Sequence, residues 1–173
     1  MESYYRLASE FFGNDVLEVA PKLMGKTLVR RFEDGSIERF TICEVEAYRG
    51  MDDLACHASK GRTARTEVMF HAGGVVYVYL IYGMYWMLNI VAGKENDPSA
   101  VLIRGLEGIS GPGRVGKALG LDKSFYGEDL AKSSRLWIED SGLKPGYIAT
   151  PRIGIDYAGE PWISKPWRFL LKE

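Results

Sequence analysis

Two pairs of β-rich runs, each folded over a glycine turn, constrain this chain more than any other feature. Residues 28–33 and 37–48 flank Asp34-Gly35, a dipeptide favoured in tight hairpins because glycine accepts the positive φ that such turns need. Residues 75–82 and 85–91 flank Gly83-Met84 and are dense in tyrosine, which suits a pleated surface. Residues 100–106 read as another strand, and 136–139, 147–155 and 167–171 as further strands separated by glycine and proline.

Helical signals are fewer. Val16, Val19, Ala20, Leu23 and Met24 recur at helical spacing over residues 15–24, with Asp15 and Glu18 placed as a capping box and Gly25 as a stop. Pro21 is expected to kink or split that helix. Ser110-Gly111-Pro112-Gly113 opens a second helix through Leu119, whose first N–H groups are placed to hold a phosphate. Residues 51–70 read as a polar surface loop with one short helix.

These elements predict an α+β fold dominated by antiparallel sheet. The 173 residues, 46% of them hydrophobic, fill one core, whereas two domains would each be undersized, so a single domain over residues 1–173 is expected. A net charge of -1 announces no global attraction to nucleic acid, so any DNA surface must be a local patch. Lys60, Arg62 and Arg65 form the clearest one.

Cys43 and Cys56 fit neither a metal spacing nor a disulfide framework, which points to reduced thiols in the cytoplasm and to no metal or other cofactor. Residues 1–6 carry no charged-then-apolar leader, and no apolar stretch approaches the roughly 20 residues that span a bilayer. A soluble intracellular protein with no membrane partner is expected, nucleoid-associated if prokaryotic, with monomer as the default state.

Chemistry concentrates on residues 42–48. Period-2 alternation puts Glu44, Glu46 and Tyr48 on one face, and Cys43, Val45 and Ala47 on the other. Same-face neighbours lie about 7 Å apart, a range in which two carboxylates can flank a reacting bond. Spacing alone favours a solvated face. The phenols Tyr77, Tyr79, Tyr82 and Tyr85, with Asn89 beyond, suit either sheet packing or stacking on bases.

The run Glu44-Val45-Glu46-Ala47-Tyr48, then His57, then Tyr77-Val78-Tyr79-Leu80-Ile81-Tyr82-Gly83-Met84-Tyr85 with Asn89, resembles the alkyladenine (3-methyladenine, methylpurine) DNA glycosylase family. Val101-Leu102-Ile103-Arg104, Ser110-Gly111-Pro112, Arg152-Ile153-Gly154-Ile155 and Pro166-Trp167-Arg168-Phe169 follow in family order, so the resemblance spans about residues 15–171. It implies a curved, partly open β-barrel with peripheral helices. It also implies a monofunctional enzyme that flips damaged purines out of double-stranded DNA and hydrolyses their bond to deoxyribose.

Position by position, the resemblance makes Glu46 the base that activates water, with Arg104 and the main-chain carbonyl of Ile153 holding that water; the Ile153 side chain reads as core. Tyr48, His57 and Tyr79 correspond to walls of the base pocket, and Asn89 to the residue that crowds the exocyclic amine of normal guanine. Tyr82 corresponds to the wedge that fills the gap left by the flipped nucleotide. Lys60, Arg62, Arg65, Gly111, Arg114 and Lys117 are candidates for the DNA backbone. Two rivals remain: a non-catalytic nucleic-acid module on the same scaffold, and a sugar-directed glycosidase using Glu44 with Glu46.

Overall fold

The computed structural model describes residues 4–172. Residues 1–3, half of the run expected to lack a leader, fall outside them. The strands are β1 (Tyr5–Arg6), β2 (Thr27–Arg31), β3 (Ile37–Arg49), β4 (Val76–Ile81), β5 (Tyr85–Val91), β6 (Ser99–Leu106), β7 (Ile109–Ser110), β8 (Leu136–Asp140), β9 (Tyr147–Thr150) and β10 (Arg168–Leu171). Two helices, α1 (Val16–Lys22) and α2 (Pro112–Ala118), complete the regular structure with several 3₁₀ turns.

Every named pairing is antiparallel, in the order β1-β8-β2-β3-β6-β5-β4, with β7 on β6 and with β10 joining β3 to β9. The expected α+β class holds, and the sheet is open rather than closed into a barrel. β3 is its spine. At 13 residues it pairs first with β2 and then with β10, while β6 lies along its other edge from Ile42 onward. Register shifts between Ile42 and Val45 bend it at that handover.

Both glycine turns are hairpins. Asp34 accepts the Ser36 N–H at 2.9 Å while Gly35 sits at φ 87°, closing β2 onto β3. At the tip between β4 and β5, Tyr82 and Gly83 have φ of 55° and 65°. Consecutive positive φ values mark the turn whose twist matches its strands.

α1 starts where Asp15 accepts the Leu17 N–H at 2.9 Å, and it ends at Lys22. Pro21 therefore sits in the last turn and neither kinks nor splits the helix, which stops one residue later. α2 lies so close to β5 that a Cβ on Gly116 would stand 1.9 Å from the Trp86 carbonyl oxygen. Only glycine allows that approach.

The main core fills the space under the sheet with α1 residues Val16, Val19 and Ala20, β-strand residues such as Leu28, Ile42, Leu88 and Ile103, and Val115 of α2. Two expected elements differ. Residues 147–155 form a strand only to Thr150, since Pro151 has no N–H to continue the ladder. Residues 51–70 hold two 3₁₀ turns, His57–Lys60 and Glu67–Phe70, rather than one helix. No helix among the described residues is long and apolar enough to cross a membrane.

Candidate active site

Where β3 meets β10 and β6, Glu46 lies opposite Arg168 and Leu102, and its side chain is fully buried. The solvated face favoured by spacing alone does not exist there. A buried carboxylate needs donors. The Tyr48 hydroxyl donates to one oxygen at 2.8 Å, and the Ile153 N–H to the other at 2.6 Å. Burial still outweighs these partners, so the Glu46 carboxyl is held above its usual range, opposed by the Ile153 N–H, Arg104, Tyr48 and Arg152.

Arg104 reaches both carboxylates but lies nearer the other one. Its Nε donates to Glu44 at 3.1 Å, while its closest approach to Glu46 is 3.7 Å. Arg168 Nε also donates to Glu44, at 2.6 Å. Glu44 thus anchors two guanidiniums and leaves one terminal nitrogen of Arg104 toward Glu46.

Ile153 contributes its amide, and its side chain is 48% exposed, contrary to the core role expected for it. The backbone must face Glu46 at that point, so the side chain points outward. Ile155 is the buried hydrophobic residue of residues 151–155.

Tyr48, the partner of Glu46, is also a wall of a recess lined by His57, Tyr77, Tyr79, Asn89 and Tyr157. β4 and β5 supply Tyr77, Tyr79 and Asn89, and the first 3₁₀ turn supplies His57. The His57 and Tyr79 rings meet edge-on with centroids 4.6 Å apart, and His57 Nδ1 lies 2.9 Å from the Tyr77 hydroxyl. Burial, with Arg65 and Lys60 nearby, pushes the imidazole down to about 4, so it is neutral at physiological pH. Burial likewise lifts the Tyr79 phenol to about 12 and raises Tyr48 and Tyr77. The His57, Tyr48, Tyr77 and Tyr79 rings that wall the recess are uncharged. Asn89 donates to the Tyr77 carbonyl at 3.2 Å, which fixes its amide.

The other expected residues fall on the β4–β5 tip, in the 51–70 loop and on α2. Tyr82 is 89% exposed at the β4–β5 tip, beside an exposed Met84. Lys60 and Arg65 line a groove adjoining the recess, with the Arg65 guanidinium 5.1 Å from the Tyr79 ring centre. Arg62 instead grips Glu67 through two nitrogens at 2.7 and 2.6 Å. Gly111 caps α2 with φ 104°, while Arg114 and Lys117 are exposed on that seven-residue helix. Among the described residues, no group of three His, Cys, Asp or Glu side chains converges as a metal site.

Sequence reasoning assigned no role to Tyr157, Asp53 or Arg152, and left Tyr77 open between sheet packing and stacking on bases. Tyr77 and Arg152 stood inside quoted motifs, but the Asp53–Arg152 ion pair at 2.7 Å spans 99 residues and has no local signal. Tyr157 donates to the Ala55 carbonyl at 3.0 Å and lines both recess and groove.

An open antiparallel sheet carries a buried, hydrogen-bonded glutamate whose partner Tyr48 is also a wall of an aromatic recess, an arrangement suited to an enzyme site. The chain matches the Methylpurine-DNA glycosylase family over residues 10–111 and 107–173. It is 44% identical to a protein of Methanocella arvoryzae, over 96% of this chain and 92% of that one. It is 41% identical to one of Psychrobacter cryohalolentis, over 91% and 86%, and 46% identical to one of Wolbachia pipientis, over 94% and 89%. All three bear the provisional name 3-methyladenine DNA glycosylase. The chain belongs to the methylpurine-DNA glycosylase family and is accordingly a DNA glycosylase.

Proposed function

We propose that the protein is a monofunctional glycosylase of base-excision repair. It takes an alkylated purine such as 3-methyladenine or 7-methylguanine, flipped from double-stranded DNA, into the aromatic recess. The observation that carries this reading is the buried Glu46, fixed by the Ile153 N–H and by Tyr48, which is itself a wall of that recess. A carboxylate has about four acceptor positions. Two are taken, and the attacking water uses one of the others.

In the reaction, Glu46 takes a proton from that water as its oxygen bonds to the anomeric carbon. The N-glycosidic bond breaks with its electron pair leaving on the base, and an abasic deoxyribose remains. The Glu46 charge also stabilises the oxocarbenium-like sugar. A cationic alkylated purine departs as a neutral base and needs no further proton. It also gains roughly 0.5–2 kcal/mol over a neutral ring against electron-rich tyrosine faces. Hypoxanthine and ethenoadenine extend the same reading to neutral lesions.

Asn89, its amide tied to Tyr77, crowds the exocyclic amine of normal guanine, and Tyr82 fills the gap in the duplex. Lys60, Arg65, Arg114, Lys117 and the Gly111 segment contact the backbone, with Arg62 contributing less because Glu67 holds it. The protein acts as a monomer in the cytoplasm, on nucleoid DNA in a prokaryote.

The test is a duplex carrying one 7-methylguanine or hypoxanthine, incubated with the protein and then treated with alkali. Strand cleavage only after alkali, with no adduct trapped by borohydride, is expected. A trapped adduct overturns the water mechanism, and an intact strand overturns the glycosylase reading.

A further inference from the structure

Arg152 and Asp53 are both completely buried in their side chains. The guanidinium grips the carboxylate through two nitrogens, at 2.7 and 3.0 Å, and one of these also donates to the Ala47 carbonyl at 3.0 Å. It is stacked between two rings, with the centres of Tyr48 and Trp167 each 4.9 Å away. Asp53 in turn accepts the N–H of Arg49 at 2.9 Å and of Ala55 at 3.1 Å.

Such a pair is an inefficient device for stability alone, because removing two charges from water offsets much of their attraction. The Arg152 Nε even lacks a hydrogen-bond partner. What the pair does achieve is geometric. It ties the end of β3 just beyond Tyr48, the loop leading to His57, and the residue next to Ile153. A two-pronged guanidinium–carboxylate contact fixes orientation as well as distance.

We propose that Asp53 and Arg152 are positioning residues: their ion pair holds the Ile153 N–H on Glu46 and the Tyr48 ring over the recess, so that the water-activating carboxylate is assembled before DNA arrives. The catalytic meaning rests on the glycosylase reading, while the geometric part stands without it. The groups facing Glu46 are Tyr48 on its own strand, Arg104 from β6, Arg152 and the Ile153 amide from the loop after β9, Tyr79 from β4, and Tyr157; Glu44 acts one step away through Arg104, and Arg168 a further step away through Glu44. Losing the Arg152 charge and loosening the Ile153 amide act in one direction, making Glu46 harder to ionise.

The probe is the double variant Asp53→Asn/Arg152→Met, which leaves no unpaired buried charge and keeps one acceptor oxygen for the Arg49 or the Ala55 N–H. The full-length protein is labelled with ¹⁵N, and the Ile153 amide is followed from acid to neutral pH, a readout that requires no activity. In the parent, that amide follows the ionisation of Glu46. In the double variant, its amplitude is expected to fall by about half or more and its midpoint to move up.

Single-turnover excision should fall about tenfold to a hundredfold, the range for a misplaced catalytic group. Arg152→Lys, which preserves the charge but not the fork, is expected to show the same changes to a smaller degree and serves if the double variant does not fold. A folded variant whose Ile153 amide titrates as in the parent overturns the proposal. A parent that titrates as expected but excises nothing overturns the glycosylase reading instead.

Discussion

Replacing Tyr48 by Phe removes one hydroxyl and almost nothing else, because the ring keeps its place over Arg152. The lost hydroxyl is one of two donors within hydrogen-bond distance of Glu46. A hydrogen bond to a charged group contributes about 1.5–3 kcal/mol. At about 1.36 kcal/mol per pH unit, Glu46 should become harder to ionise by roughly 1–2 units. The parent already starts above the ordinary carboxylate value of 4.5. The assay is single-turnover excision of 7-methylguanine as a function of pH. The acid limb, where Glu46 must lose its proton to act as base, is expected to move up by that amount, while the high-pH plateau changes far less. An unmoved limb with a uniformly lowered plateau would refute the role given to this hydroxyl.

His57 should titrate near 4 in an imidazole NMR experiment, and a midpoint near its ordinary 6.5 would remove the account of a neutral, desolvated wall. Tyr82→Ser should leave the melting temperature nearly unchanged, since the side chain is 89% exposed, yet weaken damaged-duplex binding by about 1–3 kcal/mol, the worth of one stacked base. Parent-like binding would end the wedge assignment. Because the folded state raises the Glu46 pKa, this group stabilises the fold most below its ordinary value, and the contribution is lost as pH rises through the folded value. Glu46→Gln should therefore gain in stability relative to the parent as pH rises toward 7. A relative loss over that range in thermal melts would contradict the burial argument.

The parts of this molecule that were legible in the sequence are local. Gly35 and Gly83 take positive φ, so both hairpins could be placed from the sequence, although the second turn centres on Tyr82-Gly83 rather than on Gly83-Met84, and residues 85–91 match β5 at both ends. The alternation of β3 correctly grouped Glu44, Glu46 and Tyr48, because Arg104 joins the two acids and Tyr48 bonds the second. It misjudged their environment. Whether a strand face is wet depends on what covers it, and the cover here is the loop after β9, more than 100 residues away.

The same distance hid the Asp53–Arg152 pair, and it turned the expected core side chain of Ile153 outward in favour of its amide. Pro151 explains the early end of β9 only once Arg168 and Phe169 are seen to pair with Thr150 and Ala149. Contacts made by loops across the sheet have no period, and no local pattern encodes them.

The central claim is that Glu46 activates the attacking water. Single-turnover excision of 7-methylguanine from duplex DNA by Glu46→Gln, with binding to the same duplex measured in parallel, tests it most directly. General-base catalysis contributes about 10²–10⁴-fold. The expected result is a loss of that size in the excision rate with binding within a few-fold of the parent; excision at the parent rate by a folded Glu46→Gln protein would contradict it.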